Sequence, residues 1–212
     1  MNVPKPLISK ALKQSFDYEN YLEQMRNFMK NKATSGVQQT EELISYTKLN
    51  QVRMKRLTKT TQLNDAIINT LGQLNDSYTW LILTESWCGD AAQSLPILNK
   101  IAEQSDLIDL KIAYRDENSE LMQYFLTNGG EAIPKLIVIN QEQKVLADWG
   151  PRPSTVSKMV KAYKEKYGKL QPEFKEQLQV WYNKNKGADI IDDINVILLN
   201  IILQYENVIL NK

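Results

Sequence analysis

The chain has 212 residues, 42% of them apolar and 24% charged, with 26 lysines and arginines against 25 acidic residues and a net charge of +1. That balance supports a buried core and gives neither nucleic acid nor an anionic membrane surface a claim as main partner. One cysteine and no histidine exclude an intrachain disulfide, a zinc site built on cysteine and histidine, and any catalytic dyad or triad with a histidine base.

Residues 1–60 read as a helical N-terminal extension. Met1-Asn2-Val3-Pro4-Lys5-Pro6 opens without the apolar run of a secretory signal. Tyr18, Tyr21, Leu22, Met25, Phe28 and Met29 recur at three- and four-residue spacing, one face of a helix that ends near Lys32–Gly36. Thr40-Glu41-Glu42 opens a second helix with Leu43, Tyr46, Leu49 and Val52 on one face. Its end, Arg53 to Lys59, is basic. A solvated helix end and an anion-binding strip are the two readings of that stretch.

The texture changes at residue 61. Leu63, Ala66, Ile67 and Leu71 make a short helix. Tyr78–Thr84 is a continuous β-prone run, as expected of a strand buried on both faces. A helix follows from Gly89 or Asp90 to Glu103, then a strand over Leu107–Tyr114 and a helix over Ser119–Leu126. Lys135–Asn140 and Lys144–Trp149 are joined by too short a link for a parallel crossover, so they form an antiparallel hairpin. Ser154–Lys166 closes the unit as a helix. The expected fold class is α/β: a mixed sheet in the order β-α-β-α-β-β-α over residues 61–168, with helical extensions at 1–60 and 169–212.

In the C-terminal extension, Pro172 starts a helix carrying Phe174, Leu178, Trp181 and Tyr182. Gly187 breaks it, and Asp189 is placed to cap the next. That last helix is apolar nearly all round (Ile190, Ile194, Ile197, Leu198, Ile201, Ile202, with Val196, Leu199 and Leu203 opposite), so burial on several faces is expected. Packing on the N-terminal helices and a homodimer contact are the two ways to meet that need. No apolar stretch reaches the roughly 20 residues needed to span a bilayer. A free cysteine suits a reducing compartment, so a cytoplasmic location is expected.

Four features give the central unit a specific likeness. Trp87-Cys88-Gly89 lies between a buried strand and a helix, and Pro96 follows Cys88 by eight residues. Ile133-Pro134 precedes the first hairpin strand, and Gly150 follows the second. In this order the four resemble thioredoxins: the reactive cysteine, the helix-kinking proline, the cis-proline loop and the glycine packed against the site. The chain is more closely similar to a bacterial thioredoxin-like family with a single cysteine in Trp-Cys-Gly-Asp. Arg115-Asp116-Glu117-Asn118, Ile133-Pro134-Lys135 and Trp149-Gly150-Pro151-Arg152-Pro153 look like its other blocks. Ala91 stands where dithiol thioredoxins have a second cysteine, Asp90 where they have a proline, and Ile82 where they have a buried aspartate.

The resemblance implies Cys88 as the reacting residue in a groove formed by Trp87, Gly89, Asp90, Ile133, Pro134, Gly150 and Arg152, with Ile133–Pro134 cis. Ile133 would offer its N–H and C=O to an extended partner segment. The α-helix dipole behind Cys88 lowers a thiol pKa, while the Asp90 charge raises it by a similar amount, so a moderately reactive thiol is expected. Asp90 itself reads first as a charge in the opening turn of a helix. The function expected is that of a monothiol redox protein exchanging disulfides with protein or low-molecular-weight thiols, uncertain as an enzyme and not a dithiol reductase. The alternative is a binding module that uses the same groove without turnover. No cofactor or metal is expected. The Cys-Gly-Phe-Ser sequence of cluster-binding monothiol glutaredoxins is absent.

Overall fold

The first central strand, β1 (Tyr78–Thr84), is hydrogen-bonded on both sides. The computed structural model describes residues 3–210; Met1, Asn2, Asn211 and Lys212, including the start of the segment read for a signal, lie outside them. β1 runs parallel to β2 (Ile108–Tyr114), with Ile82 opposite Ile112, and antiparallel to β3 (Lys135–Asn140), with Ile82 also opposite Leu136. β4 (Val145–Trp149) pairs antiparallel with β3, giving the order β2-β1-β3-β4. Trp80, Leu81, Ile82 and Leu83 are all inaccessible to solvent, which is why this strand reads as a run and not as an alternation.

The N-terminal region holds a helix that the side-chain periodicity did not single out, α1 (Lys5–Lys13). It is followed by α2 (Tyr18–Lys30), capped by Asp17, and α3 (Glu41–Thr60), capped by Thr40. Between α1 and α2, Phe16 exchanges backbone hydrogen bonds of 2.8 Å with Ile112 in both directions. This short bridge covers the outer edge of β2, an edge that would otherwise offer itself to another strand.

The face of α3 turns out opposite to the expected one. Tyr46, Leu49 and Val52 are exposed, and the buried residues are Thr47, Asn50, Met54 and Leu57. The reason is a polar anchor. Asn50 Nδ2 donates to the Ser86 carbonyl at 3.0 Å, and the Thr34, Thr47 and Ser86 hydroxyls lie within 2.6–3.1 Å of one another. This face satisfies the buried hydrogen-bonding groups, which are costly to leave unpaired, and buries Met54 and Leu57 with them.

Next come α4 (Asp65–Leu71), capped by Asn64, and α5 (Gly89–Ala102), with Pro96 inside it. The helix expected over Ser119–Leu126 is shorter: a 3-10 turn at Asp116–Asn118 leads into α6 (Ser119–Met122). α7 (Ser154–Tyr167), α8 (Pro172–Asn185) and α9 (Ala188–Leu210) complete the chain. Asp189 lies inside α9 and does not cap it. Its N–H donates to Asn185 Oδ1, and its carboxylate accepts from Asn185 Nδ2. α9 packs against α4, α5, α7 and β4. Ile190, Ile194, Leu198, Ile201 and Ile202 are buried, while Val196, Leu199 and Leu203 remain exposed, so one side of this apolar helix faces out. Among the described residues, no helix is long and apolar enough to cross a membrane.

The main core joins the sheet to both extensions: Ile8, Tyr21 and Met25 from one, Ile194 and Leu198 from the other, against Ile82, Leu95, Ile112 and Ile137. Each such side chain contributes about 1.5–3 kcal/mol gross, against a net stability of ~5–15 kcal/mol for a typical protein. The extensions therefore belong to the folding unit. A second, smaller cluster binds α7 to α8 through Val156, Val160, Phe174, Leu178 and Tyr182. Asp193 of α9 ties that pair to the sheet by accepting from Trp149 Nε1, the Ser154 N–H and the Ser154 hydroxyl at 2.7–2.9 Å. It thereby caps α7, whose own N-cap residue, Pro153, makes no side-chain cap hydrogen bond.

Candidate functional site

β1 ends at Thr84, and Glu85-Ser86-Trp87 carries the chain to the N-terminus of α5. Cys88 is the N-cap of that helix, and its Sγ accepts the Ala91 N–H at 3.5 Å. The cap is thus supplied by the sulfur and not by Asp90. On its other side the Cys88 thiol donates to the Ile133 carbonyl at 3.3 Å. Ile133–Pro134 is cis, and so is Gly150–Pro151. Gly150 has φ +114°, and a Cβ there would lie 2.2 Å from the Pro134 carbonyl oxygen. Only glycine lets the end of β4 pass this close to the Pro134 backbone.

Asp90 turns its carboxylate inward. Arg152 Nη2 lies 2.6 Å from Asp90 Oδ2, and the Tyr182 hydroxyl donates to Asp90 Oδ1 at 3.1 Å. Asp90 stands in the first turn of α5, as expected of a charge facing the helix dipole, and its carboxylate also joins the loop after β4 and helix α8 to the start of α5. Arg152 Nε is buried without a partner. On the far side of Gly89, Arg53 of α3 holds Asn50 Oδ1 at 3.3 Å and comes within 3.7 Å of the position of a Gly89 Cβ. Trp87 is half-buried, with the Arg115 guanidinium 5.4 Å above its ring.

The structure therefore brings Cys88, Gly89, Asp90, Ile133, Pro134, Gly150 and Arg152 together, with Trp87 at their margin under Arg115. Sequence reasoning missed Tyr182 as a site residue, taking it only as part of an apolar helix face. Nothing local to it signals a partner 92 positions away. It also missed Glu85 and the anchoring role of Asn50.

The expected balance at the sulfur does not hold. Cys88 is 7% exposed, and its pKa is pushed up to about 12. Burial is the largest cause and the Asp90 charge the second; the Ala91 and Asp90 N–H groups and Arg152 pull the other way. Desolvation of the buried thiolate outweighs the pull of the helix N-terminus. Asp90 is also pushed up by its burial, with Arg152 and Tyr182 opposing.

Below the site, Glu85 is fully buried. It accepts the Asp116 N–H at 3.0 Å and the Ser35 hydroxyl, and its burial raises its pKa. A carboxyl raised in the folded state favours its neutral form there. Its contribution to stability is complete below the unfolded-state value and is lost as pH rises through the raised one. Glu85→Gln should therefore stay within ~1 kcal/mol of wild type or above it at pH 7.5, and wild type should gain on the variant as pH falls to 5. Urea unfolding at the two pH values measures this; a difference independent of pH would contradict it.

A family model described as Thioredoxin matches residues 36–164. A 1.5 Å crystal structure of a protein of unknown function from Pseudomonas aeruginosa is similar in fold, with a TM-score of 0.64 and 17% identity, covering 95% of this chain and 99% of that one. An HIV epitope-scaffold crystal structure aligns with a TM-score of 0.61 and 17% identity, over 91% of this chain and 97% of its own. At such identity these likenesses carry the fold alone. No curated protein matches the chain.

Proposed function

The chain belongs to the thioredoxin family, and from that premise we propose that it is a monothiol redox protein of the single-cysteine Trp-Cys-Gly-Asp kind, acting in the reducing cytoplasm. Its Cys88 is held masked until the site opens. The reading rests on one observation: the sulfur keeps its place at the N-terminus of α5, accepting the Ala91 N–H and facing the cis Ile133–Pro134 bond. The leading cause of its high pKa is burial, which depends on the closed arrangement. The donors that favour a thiolate, Ala91 N–H and Arg152, stay when water enters.

The step is thiol-disulfide exchange. Cys88 loses its proton to solvent. The thiolate attacks one sulfur of a disulfide R–S–S–R′, forms the Cys88–S–S–R bond and releases R′–S⁻. A second thiolate then attacks the R sulfur and frees Cys88 as thiolate. The chain itself is neither oxidised nor reduced over the cycle. Without a second cysteine, release depends on that outside thiol.

The neutral, buried sulfur also favours a second reading, a binding module that needs no chemistry. Mass spectrometry after incubation with oxidised low-molecular-weight thiols separates the two. The redox reading expects an adduct on wild type and none on Cys88→Ser. No adduct, together with equal partner retention by wild type and Cys88→Ser, would establish the binding module instead.

A further inference from the structure

A cleft of about 540 Å³ opens between the C-terminal half of α3, the link to α4 and the junction of α8 with α9. That volume falls within the roughly 300–1,000 Å³ usual for small-molecule sites. Arg56 and Lys186 line it together with the amides Gln62, Asn64, Asn183 and Asn185, and among the described residues no carboxylate does. Arg56 Nη2 donates to Asn183 Oδ1 at 2.8 Å, which holds the guanidinium across the cleft between α3 and α8. The nearby Asp189 carboxylate is engaged by Asn185 Nδ2 at 2.5 Å. The α3 segment leading in, Arg53 to Lys59, carries four cations and no acid in a chain whose net charge is only +1. One wall is Tyr182, whose hydroxyl is bonded to Asp90 beside Cys88.

We propose that this cleft binds a small polyanion, a molecule carrying two or more carboxylate or phosphate groups. Two cations of different geometry, side-chain amides and the absence of carboxylates on its walls suit that chemistry. A molecule seated there touches Tyr182 and so bears on the residue that holds Asp90. The binding does not rest on the redox reading.

Calorimetric titration of the full chain with citrate and, separately, with pyrophosphate tests the proposal. Saturable binding of at least one probe is expected, citrate alone marking a carboxylate site and pyrophosphate alone a phosphate site. The double variant Arg56→Gln/Lys186→Gln should weaken binding at least about tenfold, the scale of ~1.4 kcal/mol. Arg56→Lys, which keeps the charge, should stay within a few fold. Cys88→Ser should bind as wild type does, so failure of adduct formation at Cys88 and failure of this site are separate results. Absence of saturable binding by both probes, unchanged affinity in the double variant, or loss in Cys88→Ser would each overturn it.

Discussion

At pH 7.5 the folded chain is expected to be alkylated by iodoacetamide at Cys88 at least about thirtyfold more slowly than the urea-unfolded chain. A pKa pushed from 9.0 to about 12 makes the thiolate about a thousandfold rarer at that pH. A more basic thiolate is intrinsically more nucleophilic, which returns roughly 10–30-fold. Occlusion of the sulfur slows the reaction further, since only 7% of the residue is exposed. The rate in the folded state should climb tenfold per pH unit through pH 10 without levelling off. A plateau near pH 8–9 would show that the thiol is not masked.

Tyr182 reaches Asp90, and its own proton is held by its burial and, among nearby charges, by those of Asp90 and Cys88. Tyr182→Ala removes the ring and hydroxyl from this cover. It should speed alkylation at pH 7.5 by about tenfold or more, the effect of about one pKa unit together with easier access. Linkage gives a third consequence. The raised thiol pKa favours the neutral form in the folded state, so its stabilisation is complete below the unfolded value near 9 and is lost as pH rises toward 12. Thermal unfolding at pH 8 and 10.5 should show wild type losing stability relative to Cys88→Ser.

Gly150→Ala should cost several kcal/mol. The new Cβ would lie 2.2 Å from the Pro134 carbonyl oxygen, 3.2 Å from the Pro134 carbonyl carbon and 3.5 Å from Lys135 Cα. All three are backbone atoms at the entry to β3, so no side chain can swing aside. The φ of +114° adds strain for any residue with a Cβ. Together, about 1–3 kcal/mol for the backbone conformation and a similar amount for overpacking consume a large share of a net stability of ~5–15 kcal/mol. Gly129 is the control: its φ is +77°, yet a Cβ there meets nothing within 4 Å. Gly129→Ala should cost about 1 kcal/mol, from its conformation alone. Urea midpoints measure both; equal losses in the two variants would mean that the contact at Pro134 carries no weight.

Much of the scaffold is legible in the residues themselves. β1 has the limits read for it, Tyr78–Thr84, because seven β-prone residues without a breaker can only be a strand buried on both sides. The hairpin of β3 and β4 follows from a link too short for anything else. Thr40 caps α3 as its sequence suggests. The gathering of Cys88, Ile133, Pro134 and Gly150 was legible only through the order in which they occur, since Cys88 lies 45 or more positions from the other three and carries no local sign of the contact.

What failed did so for one physical reason. Apolar spacing on α3 pointed to Leu43, Tyr46, Leu49 and Val52, but the helix is turned by Asn50 and Thr47, whose partner Ser86 sits 36 and 39 positions away. Asp90 read as a charge in the opening turn of a helix, and its bond to Tyr182, 92 positions away, had no local sign. The thiol looked balanced between a helix dipole and an aspartate, both readable within three residues of Cys88. Local periodicity and turn chemistry, which depend on neighbours in the chain, determined the elements and the position of the single cysteine. Burial and ion pairing depend on neighbours in space, so only the tertiary structure decided the state of its sulfur: capped, neutral and covered.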